Sequence, residues 1–595
     1  MAIENLITDH LDLWTAAVRP KSSAGRGTSS KLELTGIKKL RELILELAVR
    51  GKLVPQDPSD EPASVLLERV AAEKTRLVKE GKIKKPKALP EIGEEDKPFE
   101  LPEGWEWCRL DELSLTSEAG WSPQCDNSPR KNEQWGVLKV SAVTWGKFLA
   151  EENKALPEPL EPKPEYEVLP GDFLISRANT AELVARAVIA PANTPCKLMM
   201  SDKIIRFRFS HFVNSSYICL ANGSCTSREY YSRVAGGTSS SMKNVSRLQI
   251  QNLVIALPPL SEQKRILDNC EKLMALCDQL EQRSESQLSA HQTLVETLLA
   301  TLTDSTDADK LAQNWARLST HFDTLFTTEA SIDALKQTIL QLAVMGKLVS
   351  QDPSDEPASA LLERIAAEKA LLVKEKKIKK EKPLPEISEN EKPFELPKGW
   401  EWCRLGALMP QFQNGASSRG DSGGIPITVL RLADIKDWKV SLADTRELSI
   451  DSKSIDKYSL EKGDTLIIRV NGSSDIVGRF IGCDENYDAI YCDHFIRMRF
   501  LVEVFNTRYL SLLGSSNIVR SKIADLFIST AGQKTVNQGH ISSIVLPLPS
   551  ITEQHRIVAK VDELMTLCDQ LKSRLQTNQQ TQLALAESLA EGALA

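Results

Sequence analysis

The feature that most constrains this chain is that it is written twice. Residues 51–110 align without a gap on residues 346–405, with 48 identities in 60. GKLVPQDPSDEPAS answers GKLVSQDPSDEPAS, and KPFELPEGWEWCRL answers KPFELPKGWEWCRL. Upstream the identity fades but the apolar pattern stays: Ile37, Leu40, Ile44 and Leu47 answer Ile332, Leu335, Ile339 and Leu342. A second block recurs 291 positions later, where LPPLSEQKRI and LMALCDQL (257–280) answer LPSITEQHRI and LMTLCDQL (548–571). Self-similarity of this kind means one structural unit used twice. The intervening segments, 111–256 and 406–547, are alike in length and far less alike in sequence. Uniform drift after a duplication would not spare one class of segment. The pattern reads as a repeated scaffold that carries two different surfaces. It divides the chain into an N-terminal arm (1–110), a first variable region (111–256), a central repeated region (257–405), a second variable region (406–547) and a C-terminal helix (548–595).

The repeated segment after each variable region has alternating four- and three-residue spacing. Ile266, Cys270, Leu273, Cys277, Leu280, Ser284, Gln287, His291, Leu294, Leu298 and Thr301 form one seam. Ile557, Val561, Leu564, Cys568, Leu571, Leu575, Asn578, Gln582, Leu585, Leu589 and Gly592 form the other. That period predicts a left-handed coiled coil, about 54 Å long at 1.5 Å per residue. Ser261 and Thr552 stand as N-caps. Both seams are polar at their centres. An antiparallel pairing would bring those centres together and put one variable region at each end. The alternative is two amphipathic helices, each lying on its own domain. His291 reads as a hydrogen-bonded core histidine.

The linkers VPQDPSDEP and VSQDPSDEP are turn-rich, and good helix formers follow each. The lysine runs at 79–87 and 374–382 read as tethers, because acidic, proline-containing stretches come next. Trp105 with Trp107, and Trp400 with Trp402, read as packing anchors where each arm enters its variable region.

Both variable regions hold short β-rich runs separated by Gly, Pro, Asn and Asp. VLKVSAV (137–143) answers VLRLADI (429–435), GDFLISRANT (171–180) answers GDTLIIRVNG (463–472), and SDKIIRFRF (201–209) answers CDHFIRMRF (492–500). One fold therefore serves both. The class is α+β: two α/β domains separated by long repeated helices in an antiparallel coiled coil, with an internal pseudo-two-fold repeat. Arg177 and Asn179, with Arg469 and Asn471, follow an apolar strand. Arg reads guanine and Asn reads adenine through paired hydrogen bonds in the major groove. A structural salt bridge is the competing reading for the two arginines. Lys243 and Lys534 lie in Gly/Ser/Thr-rich loops suited to phosphate. Arg206, Arg208, Arg497 and Arg499 alternate with apolar residues, which predicts a solvent-facing strand edge.

Charge tempers any reading as a nucleic-acid binder. The net charge is −7, and the variable regions hold 16 basic against 15 acidic residues and 16 against 16. Neither is a basic domain, so any DNA contact must be local or shared with a partner. Eleven cysteines without a CxxC pair suit free thiols in a reducing compartment. No run of 18 apolar residues is present, and the N-terminus lacks the basic segment of a secretory signal. Phosphate-binding, dinucleotide, zinc-protease and hydrolase motifs are absent. EEDK at 94–97 resembles a nuclease carboxylate–lysine set, but its copy reads ENEK.

Taken together, the doubled GKLVxQDPSDEPAS, GWEWCRL, LPxxxEQxRI and LMxLCDQL blocks around two variable regions resemble the specificity subunits of Type I restriction–modification enzymes. The resemblance spans about residue 37 to the end. It implies that each variable region is a target recognition domain reading half of a bipartite, asymmetric double-stranded DNA site. Under that reading, base or phosphate contact falls to the candidates already read from the loops: Arg177, Asn179, Lys243, Arg469, Asn471 and Lys534. It implies a seam through Ile266, Leu273, Leu280, Leu294, Ile557, Leu564, Leu571 and Leu585 that sets the half-site separation. Two modification and two restriction subunits would be partners, carrying S-adenosylmethionine, ATP and Mg²⁺. This chain would hold no cofactor, perform no catalysis and work in the cytoplasm. An interaction scaffold that binds proteins in place of DNA is the alternative.

Overall fold

The computed structural model describes residues 3–20, 32–86, 88–131, 133–144, 146–239, 242–378, 383–417, 424–443, 445–530 and 532–594. The chain forms two compact units, one of residues 1–287 with 578–595 and the other of residues 288–577. Each long helix, Leu260–Thr303 and Ile551–Leu594, starts in one unit and ends in the other.

The repeat holds down to single hydrogen bonds. In the first unit Glu262, in the opening turn of its long helix, accepts from Trp105 Nε1 (3.0 Å) and Gln56 Nε2 (2.8 Å). In the second unit Glu553 accepts from Trp400 Nε1 (2.9 Å) and Gln351 Nε2 (3.1 Å). Arg265 pairs with Asp60 as Arg556 pairs with Asp355. Lys52 Nζ donates to Leu594 O (2.8 Å), the last turn of the other long helix. Lys347 Nζ donates to Thr303 O (2.7 Å) in the same way. A lysine at a helix C-terminus satisfies free carbonyls and opposes the helix dipole. Within each unit, one helix start and one helix end are thus held by the same turn, so the two helix segments run antiparallel. The anchoring role of the tryptophans is borne out: Trp105 and Trp400 are buried, and Trp107 and Trp402 pack on Phe99 and Phe394.

The buried stripe of the long helices departs from the expected seam. It follows Ile266, Cys270, Leu273, Cys277, Leu280 and Ser284, then moves one residue on at Leu288, meets the expected seam again at His291, and continues one residue on at Val295, Leu299 and Leu302. The second helix shifts at the equivalent place, from Leu575 to Gln579, Leu583 and Ala586. Leu294 (51% exposed) and Leu585 (54% exposed) therefore lie outside the stripe, as do Gln287 and Asn578. The cause is geometric. A strict heptad needs 3.5 residues per turn, and a straight helix with 3.6 drifts about 20° per heptad. Ile266, Leu273, Leu280 and Ile557 are buried, and Leu564 and Leu571 half-buried. The helices also begin earlier than expected, at Leu260 and Ile551, so Ser261 and Thr552 lie inside the first turn. Pro259 and Ser550 precede those starts, and Ser550 Oγ accepts the Glu553 amide (3.0 Å). His291 is hydrogen-bonded as expected, to Thr324 O (3.2 Å), but half-buried and not in a core.

The ends of each variable region meet in a two-stranded antiparallel ribbon: Glu106–Arg109 with Val254–Leu257, and Glu401–Arg404 with Val545–Leu548. The buried guanidinium of Arg109 donates to the carbonyls of Pro90, Glu91 and Asn252 and to Asp96. Arg404 repeats this with Pro385, Glu386, Ser543 and Glu391. The EEDK segment is thereby accounted for as a structural clasp. Arg404, with the Ser388 amide, holds the Glu391 carboxyl down to about 2.

Inside the ribbons the two variable regions share three sheets. One is four-stranded and antiparallel: Ser114–Ala119, Ile204–Phe209, Phe173–Ser176 and Ala187–Ile189, matched by Pro410–Asn414, Phe495–Phe500, Thr465–Ile468 and Phe480–Gly482. The second joins Gly136–Leu138 to Asn153–Ala155 and Leu198–Met199, matched by Ile425–Leu430 with Arg446–Ile450 and Ile490–Tyr491. The third carries the candidate residues.

Candidate nucleic-acid interface

The third sheet brings together residues far apart in sequence. Ala178–Asn179 pairs with Met242–Asn244, which pairs with Gly236–Ser239. Val470–Asn471, Gln533–Thr535 and Ile528–Thr530 repeat that order. Asn179 stands directly opposite Lys243, and Asn471 directly opposite Lys534. Such cross-strand neighbours have Cβ atoms about 4.5–5.5 Å apart. Arg177 and Arg469 sit where each strand leaves the four-stranded sheet. Arg177 N donates to Lys203 O (2.9 Å), and Val245 N to Arg177 O (2.9 Å). Arg469 N donates to His494 O (2.7 Å), and Val536 N to Arg469 O (3.0 Å). All six candidates thus fall into two equivalent clusters, one per unit.

Their side chains are committed to different degrees. Asn179 donates to Thr144 Oγ1 (3.1 Å) and accepts from the Thr180 amide (2.8 Å). Asn471 accepts from the Ser473 amide (2.9 Å). Lys243 Nζ turns back to Gly237 O (2.7 Å), and Lys534 Nζ lies over the Phe527 ring at 5.6 Å. Arg469 Nη1 reaches Asp493 O at 3.5 Å, a weak contact. Arg177 lies near enough to Asp202 to help Ser122 and Lys203 hold that carboxyl down, which lends the salt-bridge reading partial support for this arginine.

Asn179 lines an open groove of about 550 Å³ with Ser141, Thr144, Lys203, Met242 and Asn244. In the second unit a groove of about 300 Å³ lies beside Arg431, Arg446, Cys492 and His494. Arg469, Asn471 and Lys534 do not line it. Hydrogen-bonding side chains with an exposed methionine, as in the first groove, match what a base edge presents: donors, acceptors and a thymine methyl.

Two features escaped sequence reasoning. Arg228 and Arg520 hold the loop behind each asparagine from beneath. Arg228 donates to the carbonyls of Val184 and Ala185, and Arg520 to those of Ser474 (2.6 Å) and Val477 (2.9 Å). Burial, and in each case a neighbouring arginine, push both guanidinium groups down to about 10. The equivalent spacing of these arginines was the available signal.

The second feature is a correction. Arg206 does not face solvent; it is 1% exposed and bonds Glu118 (2.6 Å), Asp172 (2.8 Å) and the carbonyls of Glu165 and Glu167. Arg497 is buried too, donating to Ser459 O (2.6 Å), and Arg499 is drawn to Asp464 (2.6 Å). Only Arg208 is exposed. Alternation along a strand locates faces but not which face is covered. Here facing carboxylates and carbonyls make burial of the charge tolerable.

Comparison with known proteins adds to this geometry. The family model described as Type I restriction modification DNA specificity domain matches residues 102–290. The chain is 43% identical to the EcoEI specificity subunit of Escherichia coli, covering 100% of both chains. It is 44% identical to the EcoAI specificity subunit of the same species, again over 100% of each. The solved HsdS subunit from Thermoanaerobacter tengcongensis is 17% identical, covers 84% of this chain and 98% of its own, and superposes with a TM-score of 0.39. That likeness is too distant to bear on individual elements.

Proposed function

The chain belongs to the Type I restriction enzyme specificity subunits, and from that premise we propose that it chooses the DNA sequence on which a restriction–modification complex acts. Residues 111–256 and 406–547 are its two target recognition domains. Each reads one half of a bipartite double-stranded site, and their different surfaces make the halves unlike. The observation that carries this reading is the doubled Asn–Lys cross-strand pair on one topology.

Arg177, Asn179 and Lys243 serve one half, and Arg469, Asn471 and Lys534 the other. Arg and Asn are the side chains that discriminate guanine and adenine, whereas Lys contributes phosphate attraction. The near-neutral charge of both regions means that much of the phosphate contact is made by partners. Those partners are modification and restriction subunits, two of each. They carry S-adenosylmethionine, ATP and Mg²⁺, and this chain contributes recognition and not catalysis. Among the described residues no helix is long and apolar enough to cross a membrane, which is compatible with work in the cytoplasm.

The test is methylome sequencing of a host strain that expresses this chain with its modification subunit. A bipartite motif, methylated in both halves and lost when this chain is removed, is the expected outcome. Methylation that persists without the chain would reduce it to an interaction scaffold.

A further inference from the structure

We infer that Cys492, Asp493 and His494 hold one divalent transition-metal ion, for which zinc is the best fit. The three residues are consecutive in the turn before strand Phe495–Phe500. Their ligand atoms all lie within 4.8 Å of one another. Cys492 Sγ is 3.8 Å from His494 Nδ1, and Asp493 Oδ1 is 3.3 Å from the same nitrogen. A tetrahedral zinc with ordinary Zn–S, Zn–N and Zn–O bonds places S and N about 3.6 Å apart and N and O about 3.4 Å apart. The observed S–N and N–O separations lie within about 0.2 Å of these values. Thiolate, imidazole and carboxylate together form a donor set that suits zinc and not magnesium or calcium.

The internal repeat supplies the independent argument. The equivalent turn in the first unit is Ser201, Asp202 and Lys203. There Asp202 has a cation and a donor of its own: Lys203 Nζ lies at 3.1 Å, and the Ser122 hydroxyl bonds it. In the second unit the lysine is replaced by His494, whose Nδ1 lies 3.3 Å from Asp493 Oδ1, and that oxygen accepts no other hydrogen bond. A bound metal ion would restore the positive charge that lysine supplies in the other unit. Each turn also meets the candidate interface at the same point, since Lys203 O accepts from Arg177 N and His494 O from Arg469 N. Cys492 and His494 also line the second groove.

The site rests on donor geometry and not on the DNA reading, so the two can fail separately. The test is zinc content and Co²⁺ titration of the untagged full-length chain, following the near-ultraviolet sulfur-to-cobalt absorption. The expected result is one ion per chain, with the absorption lost in Cys492→Ser. His494→Lys, which installs the first unit's own solution at a half-buried position beside the open groove, should keep the fold. It should weaken binding by more than the roughly 10–100-fold that an outer-shell partner is worth. Cys196→Ser, at an exposed thiol elsewhere, should leave binding unchanged. Absence of binding in the parent chain, or binding in His494→Lys and Cys492→Ser as tight as in the parent, would overturn the assignment.

Discussion

The two halves of this molecule agree wherever the scaffold is built and diverge within the variable regions. Glu262 and Glu553 accept from equivalent tryptophans and glutamines, Arg109 and Arg404 clasp equivalent carbonyls, and Lys52 and Lys347 hold the ends of the long helices. Deeper in the variable regions the same sheet position carries different chemistry. Arg206 faces Glu118 across the strand, whereas Arg497 faces Gln413. With no carboxylate opposite, Arg497 turns to a carbonyl, and Arg499 takes the aspartate that matches Asp172. One topology therefore tolerates different internal ion pairs, provided that each buried charge finds a partner.

The sharpest way to break this comparison is to remove the arginines. Arg109→Ala and Arg404→Ala should destabilise their own units equally, by about 3–5 kcal/mol, because each strands a carboxylate and several carbonyls. Arg206→Ala should cost as much, and Arg497→Ala only about 1–2 kcal/mol, because it has no carboxylate partner. Hydrogen exchange of the strand amides, read unit by unit, measures both contrasts. Equal losses at 206 and 497 would refute the account of the divergence.

The shifted helix stripe gives the next effect. Leu299→Ala should cost about 2–5 kcal/mol as a core truncation, and Leu294→Ala less than about 0.5 kcal/mol as a surface change. Thermal unfolding of the two variants decides between this stripe and a strict heptad, which predicts the opposite order. Lys52→Ala and Lys347→Ala should each loosen a helix end by about 0.3–1 kcal/mol, visible as faster exchange in the last turns.

Acid should separate the halves most gently. Glu391 is held down to about 2 from an ordinary 4.5, chiefly by Arg404. The folded state binds this proton less readily than the unfolded one. Its stabilisation is therefore full above pH 4.5 and fades as the pH falls towards 2. Glu391→Gln should flatten that limb of the pH–stability curve for the second unit only.

Much of this fold was legible in the sequence because repetition and periodicity are properties of a single chain. The buried faces at Ile37, Leu40, Ile44 and Leu47 and at their counterparts follow from spacing alone. The common architecture of the variable regions followed from three short matches that fall on equivalent strands. Three things were not legible. The drift of the helix stripe depends on how straight the helices run. The burial of Arg206 depends on Glu118 and Asp172, which lie 88 and 34 residues away. The pairing of Asn179 with Lys243 depends on strand register across some sixty residues of chain. Pattern identified the members of the candidate clusters; only the tertiary structure shows that they are neighbours.

The most direct test of the central claim is to exchange residues 406–547 for the corresponding region of a relative and sequence the methylome. The account predicts that one half of the bipartite motif changes while the other half stays intact. A change in both halves, or in neither, would contradict the reading of two independent recognition domains on a shared scaffold.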